Sequence, residues 1–300
     1  MSISNDDFER LCALGAMCIG PPSSKDRKYG ESYHPYKGEG EDVEITNHPS
    51  EQDKRDNAYL LPPGWHAWNS GGVGDGAAND AIVVDSSDSD DDDNVPRKRT
   101  YPNGHYTGGI KNNKREGRGE MKYSDGDVYK GDWKEDRRHG DGTYTFNDGG
   151  VYEGEFKNKK FHGQGTMKYA NGSVYIGDFK NDKKHGYGVL KDKNGRVYKG
   201  GFKNGKRHGQ AELMFVSGSV FTGKYKDGMR NGQGKLKYAN GDVFTGEYKN
   251  GMMHGMGQRK FVDGSVLRGT WKNGKKHGDF MFRDAQGKVV YQIWDEGKAN

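Results

Sequence analysis

The chain has 300 residues, 30% hydrophobic and 30% charged, with a mean hydropathy of -1.13 and 49 glycines. This composition excludes a large apolar globule, no apolar run approaches the length of a membrane-spanning helix, and two cysteines (Cys12 and Cys18) make no disulfide framework. The formal net charge of +5 hides an asymmetry: residues 1–100 hold 10 Lys/Arg against 20 Asp/Glu, and residues 101–300 hold 38 against 23.

In chain order, residues 1–101 read as a disordered acidic tail, too polar to bury a core. The polar, acidic N-terminus is not a signal peptide, and Ser2 excludes myristoylation, so a reducing cytoplasmic setting is expected. Phe8–Cys12 is expected to start one short helix. Leu61-Pro62-Pro63-Gly64-Trp65 resembles the opening of a WW domain, but the strands that should follow are missing, so it reads as a linker or docking peptide. Further on, Ile82, Val83, Val84 and Asp85 precede serines and the acidic run Asp90–Asp93. This resembles a motif that binds the modifier SUMO by adding a strand to a sheet edge. The competing reading is a chance apolar triplet in an acidic linker. Arg97-Lys98-Arg99 reads either as a nuclear-import signal or as an ordinary basic triplet.

From Pro102 the character changes. All eight prolines lie at or before it, as a continuous hydrogen-bonded ladder beyond it would require. Residues 102–300 repeat with a period of 23: a large side chain recurs at Tyr106, Tyr129, Tyr152, Tyr175, Tyr198, Phe221, Phe244, Leu267 and Val290 without an insertion. A fixed period of this length marks a quasi-one-dimensional array.

Within each unit both halves alternate with period two, so each is a strand. Asn-Gly, Asp-Gly or Ser-Gly lies between units, for example Asn171-Gly172 and Asp263-Gly264, and predicts hairpins. The expected fold is all-β: an elongated, single-layer, twisted antiparallel sheet of about 17 strands, about 80 Å long at ~4.8 Å per strand. A three-residue loop at Ala170–Gly172 sets Met167 against Tyr175, Gly165 against Gly177 and Gly163 against Phe179. A six-residue loop at Lys157–His162 sets Tyr152 against Met167, Gly154 against Gly165 and Phe156 against Gly163. The expected core is then three rows: large residues (Tyr129, Tyr152, Tyr175, Tyr198), glycines (Gly131, Gly142, Gly154, Gly165, Gly177, Gly200), and aromatics alternating with glycines (Trp133, Gly140, Phe156, Gly163, Phe179, Phe202). Bare glycine backbone lets rings cover a sheet that has no second layer.

The pattern Y-x-G-x-[FWY]…[HN]-G-x-G, present as YKGDW…HGDG at 129–142, YEGEF…HGQG at 152–165 and YIGDF…HGYG at 175–188, resembles the MORN (membrane occupation and recognition nexus) repeat. The resemblance covers residues 102–300 as about eight repeats and a truncated C-terminal cap. The array departs from the pattern at Ile110, Glu116, Ala211, Phe280 and Gln292. The resemblance implies a non-catalytic array; it carries over no kinase or methyltransferase activity, since no such domain fits outside the repeats.

Six histidines keep the period: His139, His162, His185, His208, His254 and His277. A metal or acid–base site competes with a turn residue, and a rise of roughly 9.5 Å per two strands holds neighbours too far apart to share a metal at about 2 Å. No catalytic residue, metal or cofactor is therefore assigned. The basic turns (Lys157, Lys159, Lys160; Lys180, Lys183, Lys184; Lys203, Lys206, Arg207; Lys272, Lys275, Lys276) read either as a solvated edge or as a comb for an anionic phospholipid surface. The resemblance implies the same lipid, with protein binding and self-association as rivals. Nucleic acid is disfavoured because the aromatics are committed to the core. The expected function is a non-catalytic scaffold for protein partners along its aromatic-glycine face or through its terminal strand, with peripheral membrane attachment. The alternative is a targeting or regulatory subunit of a phosphoinositide kinase or other enzyme supplied in trans.

Overall fold

The computed structural model describes residues 83–84 and 96–299. The readings at Phe8–Cys12, Leu61–Trp65, Ile82 and Asp85 lie outside those residues, and so does the expectation of disorder over 1–101 except at 83–84 and 96–101.

Among the described residues there are twenty strands and no helix. Each strand pairs antiparallel with the next, from β1 (Val83–Val84) and β2 (Arg97–Tyr101) to β19 (Val289–Asp295) and β20 (Lys298–Ala299). The result is a single open sheet of tandem hairpins. It starts earlier than the expected boundary at residue 102, because Tyr101 pairs with Gly104 across a two-residue turn that contains Pro102. Proline at the first position of a turn gives up no ladder hydrogen bond. The Val83–Val84 backbone also pairs, with Thr100 and Arg99.

The hairpin between units has the expected register. Between β8 (Lys160–Lys168) and β9 (Val174–Lys180), Met167 faces Tyr175, Gly165 faces Gly177 and Gly163 faces Phe179. Gly172 has φ +83°, and its N–H donates to the Tyr169 carbonyl at 2.9 Å. A turn followed by a left-handed glycine is the three-residue loop that this register needs.

The hairpin within a unit differs from expectation. Between β7 (Val151–Lys157) and β8, Tyr152 faces Met167 and Gly154 faces Gly165, but Phe156 faces Phe161 rather than Gly163, and Lys157 faces Lys160. The loop is only Asn158–Lys159, with φ +50° and +72° at the two residues, as a type I′ turn requires. The surplus residues form a bulge between Phe161 and Gly165, where Gly163 takes φ +55° and Gly140 of the preceding unit +58°. The same arrangement uses Asn204-Gly205, Asn250-Gly251 and Asn273-Gly274 as tight turns inside later units.

One face of the sheet carries the core. Its rings form an unbroken edge-to-face chain: Tyr106, Trp133, Tyr129, Phe156, Tyr152, Phe179, Tyr175, Phe202, Tyr198, Tyr225, Phe221, Tyr248, Phe244, Trp271 and Phe280, with successive centroids 4.8–5.9 Å apart. Each link adds about 0.5–1.5 kcal/mol to the burial of the rings. The glycine row lies beneath them: a Cβ on Gly165 would stand 2.6 Å from the Tyr152 hydroxyl oxygen, and one on Gly188 2.5 Å from that of Tyr175.

The tyrosine hydroxyls end on the bulges. Tyr129, Tyr152, Tyr175 and Tyr198 donate to the carbonyls of Asp132, Glu155, Asp178 and Gly201 at 2.8–3.0 Å. Burial raises the pKa of each phenol, which keeps it protonated as a donor. Tyr152→Phe should cost about 1 kcal/mol in chemical denaturation, because Phe221 and Phe244 fill the same seat without a hydroxyl. A loss above twice that value would show that the hydroxyl holds the bulge in shape.

Candidate functional site

The bulge turns a further column of side chains onto the aromatic face: Arg115, Arg138, Phe161, Lys184, Arg207, Arg230, Met253 and Lys276, again 23 residues apart. Arg115 lies 4.2 Å from the Trp133 ring, Arg138 4.8 Å from Tyr144, Arg207 4.8 Å from Tyr198, and Arg230 5.4 Å from Phe221. Phe161 stacks on Tyr152 at 3.8 Å. Guanidinium and ammonium groups suit this position because they are drawn to ring faces while their outer edge meets solvent or turn carbonyls. Arg115 and Arg138 donate to the carbonyls of Asp136 and Lys159 in the next turn.

The lysine comb therefore divides. Lys157, Lys160, Lys180, Lys183, Lys203, Lys206, Lys272 and Lys275 are exposed at the turn edge. Lys184, Arg207 and Lys276 belong to the covering column and are partly buried. Lys184 sits over Tyr169, Tyr175 and Phe202 at 5.5–5.7 Å, and burial there, reinforced by the nearby Arg207 charge, pushes its pKa down to about 8. Lys276 sits over Trp294. Lys159 is half-buried, its carbonyl taken by Arg138.

The exposed cations face one another. Lys111 opposes Lys114, Lys134 opposes Arg137, Lys157 opposes Lys160, Lys180 opposes Lys183, Lys203 opposes Lys206 and Lys272 opposes Lys275, each pair flanking a two-residue turn. The turns are stacked in sequence. The Lys159 N–H donates to the Arg138 carbonyl at 2.9 Å, and the Gly205 N–H to the Lys184 carbonyl at 2.8 Å. The sheet thus presents a row of paired charges at one edge.

The rings of the aromatic-glycine face are not themselves within a partner's reach. Tyr129, Tyr152, Tyr175 and Tyr198 are 0% exposed, and Trp133, Phe156, Phe179 and Phe202 are 2–4% exposed. The expectation of docking along these rings fails because neighbouring units and the covering column already bury them. The recurring histidines sit in the bulges, half-buried or nearly so. Among the described residues no three of His, Cys, Asp and Glu converge as metal ligands. On the opposite face, acids close the bulges: Glu155 accepts from the Gln164 N–H at 2.9 Å and Asp178 from the Tyr187 N–H at 2.8 Å. Of the basic triplet, Arg99 is buried and bonded to the Asn113 side chain at 2.6 Å. Neither the covering column nor the cation pairs at Lys111–Lys114 and Lys134–Arg137 was singled out in the sequence; the 23-residue spacing of Arg115, Arg138, Arg207 and Arg230 was the available signal.

No curated protein matches the chain. Among solved structures, the TCP domain of SAS-4 from Drosophila melanogaster, solved with a proline-rich motif of Ana2, is 11% identical with a TM-score of 0.35, over 59% of this chain and 90% of that one. The TCP10 domain of CPAP from Danio rerio, solved with a peptide of STIL, is 12% identical with a TM-score of 0.38, over 65% and 92%. Likeness at that level informs neither partner nor chemistry. The MORN repeat model matches eight times in tandem, at 106–128, 129–151, 152–174, 175–195, 198–220, 221–243, 244–266 and 268–278. With more than half of its length matched in register with the observed hairpins, the chain belongs to the MORN repeat family.

Proposed function

We propose that this protein is a non-catalytic scaffold that holds protein partners, and that the edge of paired cations is its docking surface for an acidic partner. One observation carries this reading. Like charges directly opposite in an antiparallel pair disfavour the fold, yet six turns keep such a pair. An acidic counterpart would offset that cost in the bound state. The hairpin stack supports the reading, since it spaces the first five pairs, from Lys111–Lys114 to Lys203–Lys206, one repeat apart. A phosphoinositide kinase supplied in trans is one kind of partner a scaffold of this form would target.

The test is affinity capture with the full chain and with a variant carrying Lys157→Glu, Lys160→Glu, Lys180→Glu and Lys183→Glu. Proteins that cross-link to the wild-type edge should be lost with the variant and with added salt, because exposed charge is screened beyond about 8–10 Å at physiological ionic strength. Cross-links that avoid the turn edge, or capture indifferent to the variant, would refute the docking surface.

The same cation pairs favour a second reading, attachment to anionic phospholipid. Each lysine near such a surface contributes about 1 kcal/mol. Flotation with phosphatidylserine vesicles should fall steeply with salt and with the four substitutions. Binding to neutral vesicles, or no binding to acidic ones, removes this reading and leaves the first intact.

A further inference from the structure

The cation edge has an order along the array. Every turn inside a unit is preceded by a lysine, from Lys111 to Lys272. In the first five turns the residue facing it is a second cation, from Lys114 to Lys206. In the next two, Met229 faces Lys226 and Met252 faces Lys249. Both methionines are half-buried. These side chains lie on the face opposite the rings, because each lysine follows a core residue such as Phe156, Phe179 or Phe202 along its strand. Five doubly charged steps are thus followed by two that carry one charge and one apolar side chain.

The step between turns is fixed by the backbone. Each turn donates an N–H to the carbonyl 21 residues earlier, and seven such bonds follow one another from Asp136 to Gly274 at 2.8–3.1 Å. Two strands per unit set the step at roughly 9.5 Å. A polyproline II segment rises about 3.1 Å per residue with three residues per turn, so every third side chain returns to one face after about 9.3 Å. Over the four steps from the first pair to the fifth it covers about 37 Å, against about 38 Å of edge. Neither other regular backbone matches. Residues three apart on a β-strand are about 10 Å apart but point to opposite faces. On an α-helix seven residues return to one face after about 10.5 Å, and the error grows to about 4 Å by the fifth pair.

We propose that the edge takes an extended segment of a protein partner in polyproline II conformation, with a carboxylate at every third residue facing the five cation pairs and apolar residues on Met229 and Met252 at the next two steps. This rests on the edge being the docking surface for an acidic partner, and adds the spacing and conformation that it selects. One carboxylate at each step lies against two facing cations and relieves the repulsion between them. Two acids of these turns are already engaged: Asp136 binds Arg115 at 3.1 Å, and Asp182 accepts from the Phe161 N–H at 2.8 Å. A preformed polyproline II segment loses little freedom on docking. Methionine is unbranched and polarizable, and adapts to apolar side chains of differing shape. A lipid surface would meet the same charges without regard to their period.

Fluorescence anisotropy of labelled peptides on the purified full chain tests the spacing. The probe has five Glu-Pro-Pro triplets followed by two Leu-Pro-Pro triplets, and its isomer has the same composition with the five glutamates consecutive. At equal ionic strength the periodic probe should bind roughly tenfold more tightly than the isomer. Lys157→Glu with Lys180→Glu should weaken it by a similar factor. Met229→Ser with Met252→Ser should weaken it roughly threefold or more, with the melting temperature unchanged and with no effect on five Glu-Pro-Pro triplets alone. An isomer that binds as tightly overturns the spacing, and so does a helical peptide with glutamate at every seventh residue that binds as tightly. If Lys157→Glu with Lys180→Glu then abolishes their binding, the edge still stands as a docking surface for acids. Failure of every peptide to bind overturns the proposal as well, as does a methionine variant that binds the probe unchanged. Cross-linking capture with the fourfold lysine variant then decides the docking surface by itself.

Discussion

Gly165→Val is expected to unfold the middle of the array. A Cβ at this position would stand 2.6 Å from the Tyr152 hydroxyl oxygen and 2.7 and 2.8 Å from its ring carbons. Tyr152 is 0% exposed and is wedged between Phe156 and Phe179 at 5.2 and 5.1 Å, so it has no second seat. Expelling the ring forfeits a buried aromatic, about 3–5 kcal/mol. Ala211, which occupies the equivalent row with Tyr198 still buried, shows that one methyl can be fitted in. Gly165→Ala should therefore cost much less than Gly165→Val. Gln210→Val, exposed on the other face, should stay within about 0.5 kcal/mol. Thermal or urea denaturation of the three variants provides the comparison. A valine variant as stable as the wild type would mean that the rings do not lie on the glycine row.

The second large effect is at the C-terminal end. In the last full unit Leu267 stands where the others have a ring, and Phe280 stands where the others have glycine or, at Ala211, alanine. Phe280 sends its ring across the strand pair: a Cβ on Gly269 would meet it at 2.5 Å. The ring comes from the opposite strand but fills the same space. Phe280→Ala should cost about 3–5 kcal/mol and loosen the last strands first, because an array holds each unit only through its neighbours. Hydrogen exchange over residues 266–295 reads this directly. Phe280→Gly combined with Leu267→Tyr rebuilds the ordinary unit and should recover most of the loss. A double variant no better than Phe280→Gly alone would sink the exchange of roles.

Much of this architecture was legible in the chain. Tyr152, Gly154, Met167, Gly165, Tyr175 and Gly177 could be paired across two hairpins because side-chain direction alternates strictly along a strand. Phe156 could not be paired correctly. A six-residue loop at Lys157–His162 and a two-residue turn followed by a bulge use the same number of residues, and both set Gly154 against Gly165. Parity beyond the glycines therefore cannot separate them. The choice follows from hydrogen bonds between turns, such as the Asp182 N–H to the Phe161 carbonyl and the Phe161 N–H to the Asp182 carboxylate, 21 residues apart. That choice reassigns Lys184, Arg207 and Lys276 from the charged edge to the cover of the core.

The sequence by itself determined the repeat, the strands, the open antiparallel sheet and which residues form its rings and its glycine row. These follow from two periods, 2 and 23, which are properties of the chain read along its length. Only the tertiary structure decided which cations reach solvent, which of them cover the core, and that the rings are already buried beneath that cover. Those depend on what each unit meets in its neighbour.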